Sequence, residues 1–498
     1  MSGERTLRIG WSQKEITPPQ LVLIRGQFHA RVSEGVRDPL TVTALALESV
    51  VDGVPRDHVV MVSCDLIAIS DALRDAVRDR IGAGPPAAAG LDPAKVFLNA
   101  THTHTGPEIS PVGEARAGSS VDVGVELEVM DVAEYVRFAA DRIAEAVAEA
   151  WTQRSIGGIS WGIGHAVVGY NRRWHNRDGV ATMYGDTRSP GFSHIEGYED
   201  HSVNLLFTWD EARRMTGVVV NLACPAQVSE AEYTISADYW HETRQALRRR
   251  FGDALFVLPQ CSPAGDQSPH PIYNKAALER MLALKGRTRR EEIAERIAAA
   301  ASEVAAWMDR CIEWDPVLRH RCEEVGLPRR LVTEEELEAA RKESEAWRER
   351  YEALKREMEK DPAARTRPRW YVDITRAYRR ARWFERVAAR REAQRDDPTI
   401  PVEVHVVRLG DVAFATNPFE YYLDFGIQIK AQSKAGNCFL VQLAGNGTYL
   451  PTERAAAAAG YGAVPASTVV GPPGGRLLAE RTVALINALW EEAPSGRG

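Results

Sequence analysis

The 498-residue sequence reads as an α/β protein, a mixed sheet buried on both faces with a charged helical excursion in its second half. Two observations carry that expectation. Residues 1–275 alternate short β-branched apolar runs with amphipathic helical stretches, and the strand-like pattern returns over 398–498. Between them, 276–397 becomes long, highly charged helical sequence. The expected organisation is therefore one α/β catalytic body from 1–275 and 398–498, with 276–397 as a helical insertion or lid.

The elements follow in order. "HVVMVSCDLIAIS" (58–70), "HSVNLLFTW" (201–209), "MTGVVVNLAC" (215–224) and "ALFVLPQCS" (254–262) are nearly unbroken apolar runs between turn signals. Such runs fit strands covered on both faces. Residues 131–151 predict a helix, because Val132, Tyr135, Val136, Ala139, Ile143 and Val147 fall on one face. In the excursion, Thr333 and Glu336 form a capping-box pair, followed by a narrow stripe of Trp347, Tyr351, Leu354 and Met358. Residues 365–395 hold eleven arginines with Trp370, Tyr378 and Trp383 among them. Asp373, Glu385, Glu392, Asp396 and Asp397 dilute that charge, so the stretch reads as a solvated helical face and not as a nucleic-acid surface. Strands return in "VEVHVVRLGDVAFATNPFEYY" and "CFLVQLAGNGTYLPTE", and a helix over 475–491 closes the chain.

Composition narrows the function classes. The net charge of −7, from 62 basic and 69 acidic side chains, argues against general polyanion binding. The first residues carry no apolar leader, and no apolar run approaches the length of a membrane span. Six scattered cysteines read as reduced thiols and, with these signs, point to a cytoplasmic enzyme. A small-molecule substrate is expected, with no nucleic acid and no membrane span; homo-oligomerisation is left open.

The chemistry starts at "LNATHTHTGPEIS" (98–110), where two histidines two residues apart follow an apolar run. An extended backbone puts His102 and His104 on one side, and Gly106-Pro107 then turns the chain. That suits one metal ligand beside one catalytic or orienting group, although His-x-His also occurs in ordinary loops. Four more stretches set polar residues just after apolar strands, where α/β proteins build sites. They are "NLACPAQVSE" with Cys224, "CSPAGDQSP" with Asp266 and Ser268, "ATNPFEYY" with Glu420, and "GNGTYLPTERAAAAAGYG" with Tyr449 and Tyr461. Each taken alone is explained as well by a structural role.

Jointly, these segments resemble the catalytic domain of the neutral/alkaline non-lysosomal ceramidase family, from "ITPP" near residue 16 through "GVRDPL" (35–40) to Tyr461. The resemblance implies a Zn2+ site with His102 as a ligand and His104 as a hydrogen-bonding or acid/base group. It implies that Arg172 of "YNRRW" orients substrate and that Ser268 is a nucleophile or a positioning group. Glu420 and Tyr449 complete the metal site, and Tyr461 acts on the substrate. One position departs. The family's second zinc histidine falls on Cys224, fourteen residues before Asp238 of "ISAD". The implied ligand set is thus His102, Cys224, Glu420 and Tyr449, with thiolate making the metal a weaker Lewis acid than imidazole would. Replacement by His241 ranks second and loss of the metal third. Asp65 and His29 are further candidates near the site.

The activity implied is zinc-dependent hydrolysis of a linear amide. With no export leader and no C-terminal β-sandwich, a small or polar N-acyl compound is expected in place of membrane ceramide. The same machinery could run as an acyl transfer or a lactam closure. A non-catalytic binding protein on this fold and a metal-free serine hydrolase are the rival readings.

Overall fold

The computed structural model describes residues 5–84, 90–110 and 122–491. It contains ten α-helices in those residues: α1 (Asp71–Gly82), α2 (Val132–Thr152), α3 (Tyr239–Phe251), α4 (Lys275–Lys285), α5 (Arg289–Met308), α6 (Glu334–Lys360), α7 (Val372–Asp396), α8 (Leu423–Gln432), α9 (Glu453–Ala457) and α10 (Pro472–Glu491). None of these is long and apolar enough to cross a membrane.

Eight strands form the large sheet, in the spatial order Phe256–Cys261, Met215–Leu222, Ser202–Asp210, Ser155–His165, Arg5–Glu15, Thr41–Val51, Val54–Cys64, Val96–Ala100. The pairs at its two edges are parallel and the inner pairs antiparallel, so the sheet is mixed. A second sheet of four strands runs Leu318–Pro328, Thr399–Leu409, Val412–Thr416, Asn437–Val441.

The two sheets pack face to face. Leu7, Leu45, Met61, Phe97 and Leu258 of the first share a core with Leu318, Val407, Phe414 and Phe439 of the second. Helices cover the outer faces. Packing on the large sheet, α1 and α2 lie through Leu73, Val136, Ile143 and Val147, and α3 and α5 through Trp240, Leu247, Ile297 and Val304. On the small sheet, α8 and α10 lie through Phe425, Ile429, Leu485 and Leu489. The strand Thr41–Val51 shows why the sequence looks continuously apolar there. Val42, Ala44 and Ala46 face the helices while Leu45 and Leu47 face the other sheet.

The expected helix at 131–151 forms as α2, capped by Asp131, whose carboxylate accepts from the Ala133 and Glu134 amides. The capping box at Thr333 forms too, with Thr333 Oγ1 accepting from the Glu336 amide at 3.2 Å and Glu336 Oε2 from the Thr333 amide at 3.1 Å. The stretch 276–397 is less uniform than expected. Its α5 lies on the large sheet, its Leu318–Pro328 segment is an eleven-residue strand along Thr399–Leu409, and α6 and α7 pair with each other outside the sandwich. The charged residues of α5 disguise an Ile/Ala/Val stripe, which is why composition assigned it to the excursion.

Candidate active site

The cavity and the histidine loop

A cavity of about 870 Å³ opens where the C-terminal ends of several strands meet the α6–α7 pair. His102, His104, Arg172, Glu420, Tyr449 and Tyr461 all line it. The histidines leave the strand Val96–Ala100 on a loop pinned from three sides. The buried Arg31 guanidinium donates to the carbonyls of Arg25 and His104 at 2.6 Å each and to that of Glu232 at 2.7 Å. Thr103 and Thr105 donate to the Ser236 carbonyl.

His102 sits at φ +64°, a conformation that costs a non-glycine residue energy and turns the ring inward. Its Nδ1–H donates to the Ile67 carbonyl at 2.6 Å, which leaves Nε2 as a lone pair facing the cavity. That Nε2 lies 3.4 Å from Glu420 Oε2 and 3.3 Å from His104 Nε2. His104 Nε2 in turn accepts from Gln227 Nε2 at 2.6 Å. Burial first, and the nearby His102, Arg31, Arg172 and Arg25 next, hold the His104 pKa far below the usual imidazole value, so its ring is neutral.

Arginine, glutamate and the tyrosines

The strand Tyr170–Asn171 pairs with Gln267–Ser268 and delivers two arginines to opposite sides. Arg172 is buried in the site. It donates to Gly265 O at 2.9 Å, Tyr449 OH and Tyr184 OH at 3.2 Å each, and Gln227 Oε1 at 3.4 Å, and lies 3.8 Å from Glu420 Oε2. Arg173 turns away, is held bidentately by Glu196 at 2.8 and 2.9 Å, and donates to the carbonyls of Ala459 and Tyr461. It therefore fixes the turn that carries Tyr461.

Glu420 and Tyr449 face each other across a short parallel pair, Glu420–Tyr421 with Tyr449–Leu450. Burial opposes ionisation of Glu420, but His102, Arg172 and the Tyr449 hydroxyl outweigh it and hold its pKa below the ordinary value. Burial and then the Glu420 charge push the Tyr449 hydroxyl well up. Tyr461 stands edge-on to Tyr449, ring centroids 5.4 Å apart, and touches Phe28 and Trp383 on its other sides.

The donor set of His102, Glu420 and Tyr449 fits a divalent cation. An imidazole lone pair and a carboxylate oxygen lie 3.4 Å apart with the ring proton committed to Ile67, and nitrogen and oxygen donors of this kind are ones zinc accepts.

Residues that stand apart

Cys224 packs elsewhere. Its thiol lies in the core with Val168, Tyr239 and Trp240, does not line the cavity, and donates to Pro225 O at 3.5 Å. Burial, then the neighbouring Cys261, pushes its pKa well above the ordinary thiol value. His241 lies on α3 beside Gln245 and does not line the cavity either. In place of both, Gln227, three residues beyond Cys224 in the same turn, reaches His104. Ser268 is fully buried and off the cavity wall; its Oγ accepts from Tyr184 OH at 3.0 Å and the His270 amide at 3.1 Å. Asp65 forms a bidentate pair with Arg244 at 2.9 Å, a structural role, and His29 does not line the cavity.

Sequence reasoning missed Gln227 and Tyr184. The first follows a proline turn whose direction is set only by the fold, and the second lies in a loop with no polar pattern of its own.

Among the described residues, the three-residue His/Cys/Asp/Glu group with ligand atoms mutually within 4.8 Å is Cys322, Glu403 and His405, on the small sheet. It is not the counterpart of the cavity site. Arg78 already donates to both Glu403 oxygens at 2.8 Å and lies 3.4 Å from His405 Nε2, so a fixed cation occupies the place a metal would take.

Comparison with known proteins

No family model and no curated protein matches the sequence. Solved structures do share its fold. A ceramidase complexed with C2 is 15% identical at a TM-score of 0.66, the match spanning 99% of this chain and 77% of that one. The neutral ceramidase from Pseudomonas aeruginosa is 17% identical at a TM-score of 0.65, spanning 99% and 76%. The chain has the mixed α/β fold of these neutral ceramidase structures.

Proposed function

On the premise of a neutral-ceramidase fold, we propose that the chain is a zinc-dependent amide hydrolase acting on a small or polar N-acyl compound. The observation that carries this reading is the meeting of His102, Glu420 and Tyr449 at one cavity wall, with His104 and Arg172 beside them. A zinc ion held by those three residues would supply Lewis-acid polarisation of an amide carbonyl and acidification of water.

The protein groups divide the remaining work. Neutral His104 can take a proton at Nε2 from the attacking water, in exchange for the hydrogen bond it accepts there from Gln227, and pass it to the leaving nitrogen as the C–N bond breaks and the C–O bond forms. Arg172 and Tyr461 are placed to donate to the oxygen on which charge develops. The hydroxyl of Tyr184 bridges Ser268 and Arg172, so Ser268 acts here by positioning the guanidinium and not as a nucleophile. In support, neither imidazole nor carboxylate hydrogen-bonds the Ser268 hydroxyl among the described residues. The six free thiols suit a reducing compartment, and the reading places the enzyme in the cytoplasm.

Elemental mass spectrometry of the purified protein, with amine release from a panel of N-acyl amides, tests the reading. About one zinc per chain, with turnover lost to a chelator and restored by zinc, is the expected result. Turnover that survives chelation and stops in Ser268→Ala would transfer the chemistry to serine.

A further inference from the structure

The cavity wall opposite the sheet ends is built by one face of α7, and its charge is out of balance. Arg379, Arg382, Trp383 and Arg386 recur at helical spacing and line the cavity with Arg25. Most of the arginines there are matched. Arg382 pairs with Glu385 at 3.1 Å, Arg330 with Glu336 at 2.9 Å, and Arg380 stacks on Phe28 at 3.9 Å. The remaining three, Arg25, Arg379 and Arg386, share one carboxylate. Glu108 lies 3.3 Å from Arg25 and 3.8 Å from Arg379, and its Oε1 also accepts from the amides of Ile109 and Ser110. Arg386 has no hydrogen bond and no ion pair among the described residues. Burial, then Arg379, Arg382 and Arg25, push its pKa down to about 10.

Three guanidiniums gathered around one carboxylate, with Arg386 itself unpaired among the described residues, are destabilising unless a further anion joins them. Here the vacant side of the group is the cavity itself. We propose that Arg386 and Arg379 form a subsite for an anionic oxyacid group, so that the substrate is an amide that also carries a carboxylate or phosphate. The planar forks of the two arginines suit such a group bidentately, and Trp383 between them gives an apolar surface for the linking carbons. The inference deepens the amide-hydrolase reading and rests on it for the identity of the scissile bond; the anion subsite itself rests on the charge imbalance.

The test is calorimetric binding to the full-length protein of three probes: N-acetylglycine, its neutral carboxamide N-acetylglycinamide, and N-acetyl-O-phosphoethanolamine. At least one anionic probe should bind about tenfold or more tightly than the neutral one, with a preference that shrinks as salt is raised. Whichever of the two wins identifies the oxyacid. Arg386→Gln should abolish that preference while leaving N-acetylglycinamide unchanged, and Arg386→Lys should restore part of it. Should Arg386→Gln fail to fold, Arg379→Gln carries the same expectation. Equal binding of all three probes, no binding of either anion, or a preference untouched by the substitutions would overturn the subsite. Binding is read without turnover, so an anion preference in a protein that hydrolyses no amide would remove the reaction and keep the subsite. Hydrolysis of neutral amides with no anion preference would do the reverse.

Discussion

His102 Nε2 and Glu420 Oε2 face each other at 3.4 Å across the cavity floor, brought together from opposite ends of the chain. Because the other ring nitrogen donates to Ile67, their approach is satisfied by a cation between them or by an extra proton on the ring. The first alternative predicts that His102→Ala and Glu420→Gln each lose the metal and reduce kcat by on the order of 100-fold or more. Metal content and single-substrate kinetics measured on the same preparations check it; full metal retention in both variants would contradict it.

Cys224→Ala should keep its metal and its turnover. The thiol lies in the core away from the cavity, so the expected loss is about 1 kcal/mol of stability from a small void. Elemental analysis with a denaturant titration separates the two effects, and loss of metal would return Cys224 to the ligand set.

Tyr461→Phe removes a hydroxyl without disturbing the ring contacts to Tyr449, Phe28 and Trp383. Turnover of the true substrate should fall on the order of 100-fold with unchanged metal content. An unchanged rate would take Tyr461 out of the reaction.

Gly26 has φ +111°, and a Cβ there would lie 2.6 Å from His104 Nδ1. Gly26→Ala should therefore displace the His104 ring and cost about 1–3 kcal/mol of stability through the strained backbone. Kinetics and thermal unfolding of the variant measure both, and wild-type values for each would show that the loop can yield.

Asp266 is buried, and burial pushes its pKa from the ordinary 3.8 up to about 6, against hydrogen bonds from the Leu423 amide and the Gln267 side chain. The folded state thus binds this proton more tightly than the unfolded chain. Its contribution to stability is full below pH 3.8 and is lost as pH rises through about 6, a change of about 3 kcal/mol. Asp266→Asn should flatten the pH dependence of stability over that window. Parallel curves for the two proteins would refute the assignment.

Much of this architecture was legible because buried strands and amphipathic helices leave period-two and period-3.6 patterns. The strands Met215–Leu222 and Phe256–Cys261 and helix α2 fall where those patterns put them. The cavity lining was legible where a residue follows an apolar strand directly, as His102 and Glu420 do. It was not legible at Cys224 and Gln227. Both lie in one turn, and which of them faces the cavity depends on how Pro225 directs the chain, a tertiary outcome that spacing does not encode. Ser268 illustrates the same limit, since its pairing with Tyr184 joins two segments that share no local signal. The arginines of α7 looked like a solvated face because composition does not show that the helix lies against a cavity.

The α6–α7 pair leaves the small sheet after Pro328 and re-enters at Thr399, and these two residues are partners in one ladder, closed further by Arg329 N donating to Pro398 O at 2.9 Å. The chain thus enters and leaves the hairpin at a single point on the scaffold, while side chains of α7 also dock it on the 23–32 segment and the 464–468 turn. A loop anchored in this way can be lengthened, shortened or exchanged at little cost in closure entropy. Its replacement would change the wall that meets the far end of a substrate while leaving the strands that carry His102, Arg172, Glu420 and Tyr449 undisturbed. A grafted cassette retunes selectivity only if it keeps the groups that support the site from this side, Trp383 against Tyr461 and Tyr371 and Thr375 against the amides of Val32 and Ala30.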